Sequence, residues 1–387
     1  MVAHYSKNKK INSIIPLIVI SLVAFLYWMA QYIYVPVLPL YVQNKTTNLQ
    51  LMGLALSIYG LGHIVVRIPV GIIVGKLGRN KPLIFIGLFL VALGAIVMGF
   101  SSNIGQLILG RGITGLAAGT WVPLVLLFNK SFPVKDQVKS TALITFVSAA
   151  ARFSASGLST LLINYGGFLI LFLVSAGVAI LAITLLAPLK ENPLISERVS
   201  FSSFSKLVTK KDVLYPSLLS MLAQHVNWGL TFGFLPILAR SIGASDSEVG
   251  LLIIVFFLFF LVGSLITAAL GKPLGNKKLV LLGFINLILG ISLAYYGKDL
   301  AFIYFAQVLI GFAIGICEPL LMGMSIQSLP ESDQSTVLGF HQTIYAVGMF
   351  SGPFLSGLLA SKLGFPNMFL ITSLSTFLLF IIWFRKI

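Results

Sequence analysis

Long apolar runs separated by short polar segments dominate this sequence. A helix needs about 20 apolar residues to cross a bilayer. The pattern therefore predicts an all-α membrane protein with twelve transmembrane helices. The predicted spans are residues 14–41, 51–74, 82–101, 105–128, 140–163, 167–188, 213–239, 249–270, 279–297, 300–326, 336–360 and 366–384.

One sizeable polar segment, residues 190–212, interrupts this pattern and contains Glu191, Glu197, Arg198, Lys206, Lys210 and Lys211. It separates the first six predicted spans from the last six. We therefore expect an N-terminal six-helix bundle over 1–189, a cytoplasmic linker over 190–212 and a C-terminal six-helix bundle over 213–387.

The sequences of the two bundles indicate an internal repeat. A shift of 197 residues places Leu38-Pro39-Leu40 on Leu235-Pro236-Ile237, Gly53 on Gly250, Gly78 on Gly275, and Phe132-Pro133 on Leu329-Pro330. A shift of 196 places Gly115, Gly119 and Pro123 on Gly311, Gly315 and Pro319. Parallel six-helix repeats are typical of transporters with a binding site between the halves. The alternative is a duplicated scaffold without a transport role.

Composition excludes several classes of protein. Charged residues make up 9% of the chain and hydrophobic residues 58%, whereas about 25% of a soluble domain is charged. A soluble enzyme or nucleic-acid binder is thereby excluded, despite the net charge of +16. The single cysteine, Cys317, excludes an intrachain disulfide and a multi-cysteine metal site.

The positive charge is distributed unevenly. With the N-terminus inside, the inner segments hold 19 of the 26 Lys and Arg residues. The outer segments hold four, Lys45, Arg240, Lys298 and Lys362. This positive-inside bias predicts cytoplasmic termini and a multi-pass protein of the plasma (inner) membrane.

Two local motifs resemble those of the major facilitator superfamily. The segment between spans two and three reads Gly71-x-x-x-Gly75-Lys76-Leu77-Gly78-Arg79-Asn80-Lys81, similar to the signature G-x-x-x-D-R/K-x-G-R-R/K. Span four contains Leu107-x-x-x-Arg111-x-x-x-Gly115, similar to the signature with a membrane-embedded arginine. The resemblance implies a twelve-helix secondary transporter with a central cavity, near the bacterial drug:proton antiporters. It also implies a gating motif of Gly71, Gly75, Lys76, Gly78 and Arg79.

The chain also departs from that family. Gly75 replaces the signature aspartate, whose carboxylate latches the cytoplasmic side in the family, so we expect a weaker or differently built latch. Span five lacks the antiporter signature G-x-x-x-G-P-x-x-G-G and has Arg152-Phe153 in place of Gly-Pro. A similar string, Gly348-x-x-x-Gly352-Pro353, appears in span eleven.

Ionisable residues within the spans are the best candidates for a site, because a charge at the bilayer centre costs at least ~2.5–3.5 kcal/mol. Glu318, beside Pro319, is the one carboxylate well inside a predicted span. We favour it as the proton-coupling group. A fixed ion pair with an arginine and a contact to a substrate cation are the alternatives.

Three arginines fall within the N-terminal spans. Arg111 matches the family's arginine, for which the resemblance implies proton coupling; bonding to helix carbonyls is the alternative. Arg67 lies near the inner end of its span, where it could snorkel. Arg152 lies near mid-depth and must meet a carboxylate, an anionic substrate or water. In the cavity it would favour a negatively charged substrate.

Histidines are secondary candidates. His63 lies four residues before Arg67 on the same helix face, and is either a second protonation site or a packing residue. The same alternatives apply to His225 and His341. No spacing of His, Asp or Glu suggests a metal site.

Two helix faces related by the repeat carry polar or amphipathic groups. Tyr27, Gln31 and Tyr34 share a face of span one, and the shift of 197 places Gln224, Trp228 and Thr231 on span seven. In the family these helices line the cavity, so the resemblance implies that these six residues contact the substrate. Interfacial or helix-packing roles are the alternative.

These observations predict proton-coupled export of a small organic or amphipathic compound by alternating access. Proton-coupled transport of an anionic metabolite is the second candidate. A sensor is less favoured because no additional domain is evident. A membrane enzyme is less favoured because the spans contain no catalytic cluster. We expect a monomer that binds protons, lipid and a small-molecule substrate, with no cofactor and no nucleic acid.

Overall fold

The computed structural model describes residues 14–132, 137–191, 207–329 and 331–387, and every regular element in these ranges is helical. The helices are α1 (Ile14–Tyr32), α2 (Leu38–Gln43), α3 (Leu49–Leu77), α4 (Lys81–Gly99), α5 (Ile104–Ala118), α6 (Trp121–Asn129), α7 (Gln137–Leu186), α8 (Lys211–Val226), α9 (Leu235–Ser241), α10 (Asp246–Leu274), α11 (Asn276–Tyr295), α12 (Leu300–Ile326) and α13 (Glu331–Phe384). Most of the predicted linker lies outside the described residues.

Nine helical stretches of the described ranges are long and apolar enough to cross a bilayer. Two of them each join a pair of predicted spans through one glycine rather than a loop. The backbone leaves the helical conformation at Gly167 (φ 62°, ψ −157°) and at Gly364 (φ 77°, ψ 166°). Glycine adopts such angles without steric cost. The predicted breaks between spans at 163–167 and 360–366 are therefore each a single residue. The two glycines, Gly167 and Gly364, lie 197 residues apart.

Two helices are irregular at positions that the repeat relates. A 3₁₀ turn, Val35–Val37, with Pro36 at its start, follows α1. The π-helix Asn227–Phe234 joins α8 to α9. The predicted span 213–239 therefore consists of three pieces, and it is absent from the nine apolar stretches. π-helical turns occur frequently at functional sites.

The outer surface of the bundle is apolar and its interior contains polar groups. Phe89, Phe146 and Leu265 are 59%, 66% and 69% exposed. In contrast, Gln31 and Gln307 are buried. This arrangement reverses that of a soluble protein and suits a multi-pass protein surrounded by lipid.

The bundle has two distinguishable ends. At one end, Lys45 Nζ donates a 2.6 Å hydrogen bond to the carbonyl oxygen of Ser101. At the other, Lys81 Nζ donates 2.7 Å and 2.5 Å bonds to the carbonyl oxygens of Ala187 and Leu189. We call the Lys45 end distal and the Lys81 end proximal.

Small residues bring helices of the two sequence halves together near the distal end. A Cβ atom at Gly53 of α3 would clash with the carbonyl oxygen of Pro353 and lie 3.0 Å from Cα of Gly357 in α13. We call the contact of Gly53 with Gly357 the glycine seam. Gly250 of α10 packs equally closely on Thr160 of α7. Small residues permit such close approach of helix backbones.

Equivalent glycines also pack on equivalent partners within each half. A Cβ at Gly115 of α5 would lie 2.6 Å from the carbonyl oxygen of Tyr59 in α3. One at Gly311 of α12 would clash with the carbonyl oxygen of Phe256 in α10. Tyr59 and Phe256 are 197 residues apart. The same helix crossing therefore occurs in both halves of the sequence.

Glu191 joins three segments at the proximal end. Its carboxylate accepts hydrogen bonds from the backbone N–H groups of Asn80 (2.9 Å) and Lys81 (2.7 Å), at the start of α4. It also forms a 2.8 Å ion pair with Lys130, just after α6. Partial burial raises the pKa of Glu191, but the bonds from Lys130, Lys81 and Asn80 outweigh burial and hold the pKa below its ordinary value of 4.5.

We expect Glu191→Gln to lower the melting temperature of the detergent-purified protein at pH 7, because the amide cannot replace the ionised acceptor. The loss should be on the order of 1 kcal/mol, since the ion pair is partly exposed. Because the pKa of Glu191 is lower in the folded protein, its ionised carboxylate stabilises the fold above pH 4.5. This contribution disappears as the pH falls through the lowered pKa. The difference from wild type should therefore vanish in acid. Lys190→Gln, at an exposed neighbour, is the control; equal effects of the two substitutions at pH 7 would contradict this role.

We expect Gly357→Leu to lower the melting temperature, because even its Cβ would lie 2.5 Å from the carbonyl oxygen of Leu49. Overpacking of this kind costs typically about 1–3 kcal/mol. Gly339→Leu, in the same helix, is the matched control, since nothing lies within 4 Å of a Cβ at that position. Equal melting temperatures of the two variants would argue against close packing at the seam.

Candidate functional site

A cavity inside the bundle is lined by residues from both halves of the sequence. Its volume is about 10 Å³, roughly the space that one water molecule needs. Its walls therefore lie close together in this conformation. The lining residues are Tyr32, Arg152, Asn227, Trp228, Phe232, Phe256, Phe257, Phe260, Glu318 and Tyr345.

Arg152 of α7 provides the positive charge of this cavity. Its guanidinium carbon lies 4.7 Å from the ring centre of Trp28 and 5.6 Å from that of Tyr32. Its Nε and Nη2 donate to the carbonyl and hydroxyl oxygens of Ser148, at 3.3 Å and 3.1 Å. Cation–π contacts of this type attract a buried guanidinium to aromatic faces. The arginine is therefore oriented by its own helix and by α1.

Glu318 of α12 provides the negative charge. Gln224 Nε2 donates a long, 3.4 Å hydrogen bond to Glu318 Oε2. Asn227 Nδ2 in turn donates to Gln224 Oε1 at 3.2 Å. The predicted cavity residue Gln224 thus contacts the predicted proton-coupling residue.

The two opposite charges line the same cavity without forming an ion pair. Arg152 and Glu318 both contribute to its wall. Lys130–Glu191 and Arg240–Asp246 are the ion pairs within 4.0 Å in the described part of the chain. Arg152 and Glu318 therefore attract each other across the cavity and do not neutralise each other by contact. The arrangement leaves the Glu318 carboxylate able to meet a proton or a cation and the Arg152 guanidinium able to meet an anion.

The remaining cavity wall is aromatic. The ring centres of Phe232 and Phe256 lie 5.5 Å apart, and those of Phe256 and Phe257 lie 5.2 Å apart. Trp228 extends this cluster, with its ring 5.1 Å from that of Phe232. Such a wall suits an apolar or aromatic ligand body, with Arg152 and Glu318 as its polar partners.

Arg111 occupies a second buried site nearby. It is 1% exposed, and its guanidinium carbon lies 4.1 Å from the ring centre of Tyr59 and 5.9 Å from that of Tyr34. Its Nε and Nη1 have no hydrogen-bond partner. Tyr59 stacks on Trp228 at 5.3 Å and donates to Gln31 Oε1 at 3.3 Å. Tyr59 therefore connects Arg111 to the cavity wall.

Arg67 does not snorkel but bonds across the bundle. Its Nη1 donates to Gln342 Oε1 of α13 at 2.5 Å. Its Nη2 lies 3.1 Å from His63 Nδ1. An arginine only donates hydrogen bonds, so Nδ1 accepts and the His63 ring is neutral here. The His63 ring also lies 4.7 Å from that of Tyr59.

The other predicted cavity residues lie behind the wall. Tyr27 donates a 2.9 Å bond to the carbonyl oxygen of Ala117. Thr231 donates to Gln307 Oε1 at 3.0 Å. The Tyr34 ring packs 5.1 Å from that of Phe172. All three are buried. The geometry thus brings Arg152, Trp228 and Glu318 to the cavity and places Tyr27, Tyr34 and Thr231 in supporting contacts.

The other two histidines contact hydroxyl groups. His225 Nδ1 lies 2.9 Å from Ser351 Oγ, and His341 Nδ1 lies 3.1 Å from Ser217 Oγ. These contacts fit the packing interpretation. Among the described residues, no group of three His, Cys, Asp or Glu side chains could hold a metal ion.

The gating motif is described in part. The structure gives only the backbone of Gly71, Gly75 and Lys76, which belong to α3. Gly78 ends that helix in the left-handed conformation (φ 62°). Arg79 follows in an exposed position.

Sequence reasoning missed several residues of the site. Phe256, Phe257 and Phe260 belong to an uninterrupted apolar run, which does not reveal which face meets the cavity. Asn227 and Gln307 could have been found, because a polar amide within an apolar span needs a hydrogen-bonding partner.

Comparison with known proteins agrees with this architecture. Residues 20–224 and 217–387 match the family model of the Major Facilitator Superfamily. An uncharacterized transporter of Buchnera aphidicola subsp. Baizongia pistaciae is 27% identical over 362 residues, 90% of each chain. Multidrug resistance protein 2 of Bacillus subtilis is 22% identical over 364 residues, 87% of this chain and 86% of that protein.

Solved structures share the fold. The crystal structure of nucleoside transporter NupG superposes with a TM-score of 0.77 and 14% identity, covering 96% of this chain and 98% of that one. These relatives are transporters and not enzymes. From the two family-model matches, which together include nearly all of its residues, we conclude that this chain belongs to the Major Facilitator Superfamily.

Proposed function

We propose that the chain crosses the plasma membrane twelve times, as two six-helix halves (1–189 and 213–387) joined by a cytoplasmic linker at 190–212. Dividing the two longest apolar stretches at Gly167 and Gly364 and adding the stretch 211–241 turns the nine apolar stretches into twelve. The recurring glycine contacts of Gly115 with Tyr59 and of Gly311 with Phe256 support two equivalent halves. The distribution of Lys and Arg supports a cytoplasmic location for the proximal end and both termini.

This topology predicts opposite labelling of two lysine positions. In intact cells, a membrane-impermeant maleimide should label Lys298→Cys, near the distal end, but not Lys190→Cys, near the proximal end. Both positions are exposed, and Cys317 is buried, so background labelling should be low. Labelling of Lys190→Cys without permeabilisation would overturn the orientation.

We propose that the protein is a secondary active transporter that exports a small organic or amphipathic compound in exchange for protons. The observation that carries this proposal is the unpaired Glu318 in the cavity that also contains Arg152. An ionised carboxylate can bind a proton or the positive group of a substrate, but not both. Alternate occupancy by proton and substrate is the physical basis of an antiport cycle.

Alternating access needs two ends that open in turn. The glycine seam packs helix backbones together near the distal end. Toward the proximal end, the Arg67–Gln342 hydrogen bond joins α3 to α13. Breaking one hydrogen bond costs less than separating close-packed backbones, so we propose that this conformation opens first toward the cytoplasm. As in the family, the two halves would rock around the central cavity.

Arg111 and His63 are proposed to assist coupling through Tyr59. The Tyr59 ring contacts the Arg111 guanidinium, the His63 ring and the Trp228 ring. A change of charge at the cavity can therefore reach Arg111 through one side chain. Gly71, Gly75, Lys76, Gly78 and Arg79 are proposed as the gating motif on the resemblance alone.

Transport of an anionic metabolite is the second candidate, and Arg152 favours it. An arginine that faces a cavity without a carboxylate partner offers its free N–H groups to an anion. Exclusive movement of anionic metabolites, in a panel that also contains organic cations and neutral amphiphiles, would establish this candidate. For either substrate class, we propose that the protein works in the bilayer as a monomer and that transport is coupled to protons.

We expect Glu318→Gln to lose gradient-driven transport, because the amide cannot carry the proton. In proteoliposomes with an imposed pH gradient, flux of the transported compound should fall at least about tenfold, equivalent to 1.4 kcal/mol or more. Glu248→Gln is the matched control, because Glu248 is a partly exposed capping residue of α10 and glutamine can cap in its place. Undiminished gradient-driven flux in Glu318→Gln would exclude the coupling role and make His63 the next residue to test.

A further inference from the structure

The cavity holds two opposite charges apart, each supported by its own half of the protein. Arg152 is held by Ser148 and by the rings of Trp28 and Tyr32. Glu318 is held by Gln224. Desolvated charges are costly unless each meets an opposite charge with good geometry. A ligand that carries one charge would satisfy one of these residues and leave the other unpaired in the cavity.

The wall between the two charges offers no further charged group. Phe232, Phe256, Phe257 and Phe260 form half of it, and the rest consists of Tyr32, Trp228, Tyr345 and Asn227. A ligand body that fits this wall is apolar, and aromatic rings gain from edge-to-face contact with it. The amide of Asn227 is the one uncharged amide on the cavity wall.

We propose that the substrate is an amphipathic zwitterion, with an anionic group that binds Arg152, an ammonium group that binds Glu318, and an apolar or aromatic body packed on the phenylalanine wall. This inference rests on the proposed function, in which this cavity is the transport site. The ligand would bridge the two halves, since Arg152 belongs to the first and Glu318 to the second. Binding of the ammonium group to the carboxylate would release the coupling proton.

The inference can be tested with ligands that differ only in charge. Tryptophan carries both groups, tryptamine only the amine and indole-3-propionate only the carboxylate; a second set has naphthalene in place of indole. Binding to purified protein is measured by thermal shift and by proton release in weakly buffered solution. We expect the zwitterion of at least one set to bind about tenfold or more tightly than both singly charged analogues, since each charge-assisted hydrogen bond is stronger than a neutral one.

Two variants separate the charges. Arg152→Gln should remove the preference for the zwitterion over the amine and keep proton release. Glu318→Gln should remove the preference for the zwitterion over the carboxylate and abolish proton release. Arg152→Lys should restore part of the first preference if charge is what matters. Arg240→Gln, which removes a half-exposed arginine near the distal end, is the matched control and should change neither preference.

The outcomes distinguish failure of the inference from failure of the proposed function. Proton-driven transport of tryptamine or indole-3-propionate, with binding as tight as that of tryptophan, would overturn the inference that the substrate is a zwitterion. It would leave the antiporter proposal intact. Zwitterion binding that never couples to proton movement would retain the substrate class and overturn the antiport. If neither zwitterion binds the wild type, the inference fails, and the Glu318→Gln flux experiment still decides the proposed function.

Discussion

Charge buried in a low-dielectric interior is the constraint around which this protein is arranged. Arg67, Arg111, Arg152 and Glu318 all lie within apolar helices. Neutralisation by direct pairing is absent, because no contact within 4.0 Å joins Glu318 to any of these arginines. Aromatic faces and amide oxygens take the place of carboxylates as partners for the guanidinium groups.

This solution explains why tyrosines and tryptophans concentrate around the arginines. Tyr59 and Trp28 present ring faces to Arg111 and Arg152. Cation–π contacts stabilise the guanidinium charge without neutralising it. A carboxylate partner, in contrast, would neutralise it. The positive charge of Arg152 is therefore preserved, and in the proposed transport cycle Glu318 is the cavity residue that gains and loses a proton. The functional asymmetry of the cavity follows from this arrangement of fixed and changeable charge.

Much of the fold could be predicted from the sequence because the bilayer imposes simple rules. Hydropathy predicted the all-helical membrane class, and the superfamily assignment is confirmed by the family-model match. The shift of 197 residues was visible at Gly78 and Gly275, which both adopt positive φ. The rarity of charge within apolar runs identified Arg152 and Glu318, which line one cavity.

The sequence could not predict in the same way which side chains face the cavity and which face neighbouring helices. Helical spacing groups Tyr27, Gln31 and Tyr34, but it does not say whether their face meets the cavity or the neighbouring helices. Tyr32, one residue from Gln31, lines the cavity instead. The partners of Glu191 were also hidden, because they depend on long-range contacts of up to 111 residues along the chain. Gly75 has no carboxylate, but Glu191 binds Asn80 and Lys81 at the end of the same motif.

The glycine seam has a consequence for energy conservation. Protons cross hydrophobic barriers rapidly along files of hydrogen-bonded water, and such a file needs polar groups and space. Where Gly53 meets Gly357, the backbones are too close to admit even a methyl group, so no water file fits between them. In the proposed proton-coupled cycle, this contact would close one path for proton leak. Two residues that carry no side chain would thus contribute to tightness against uncoupled proton leak.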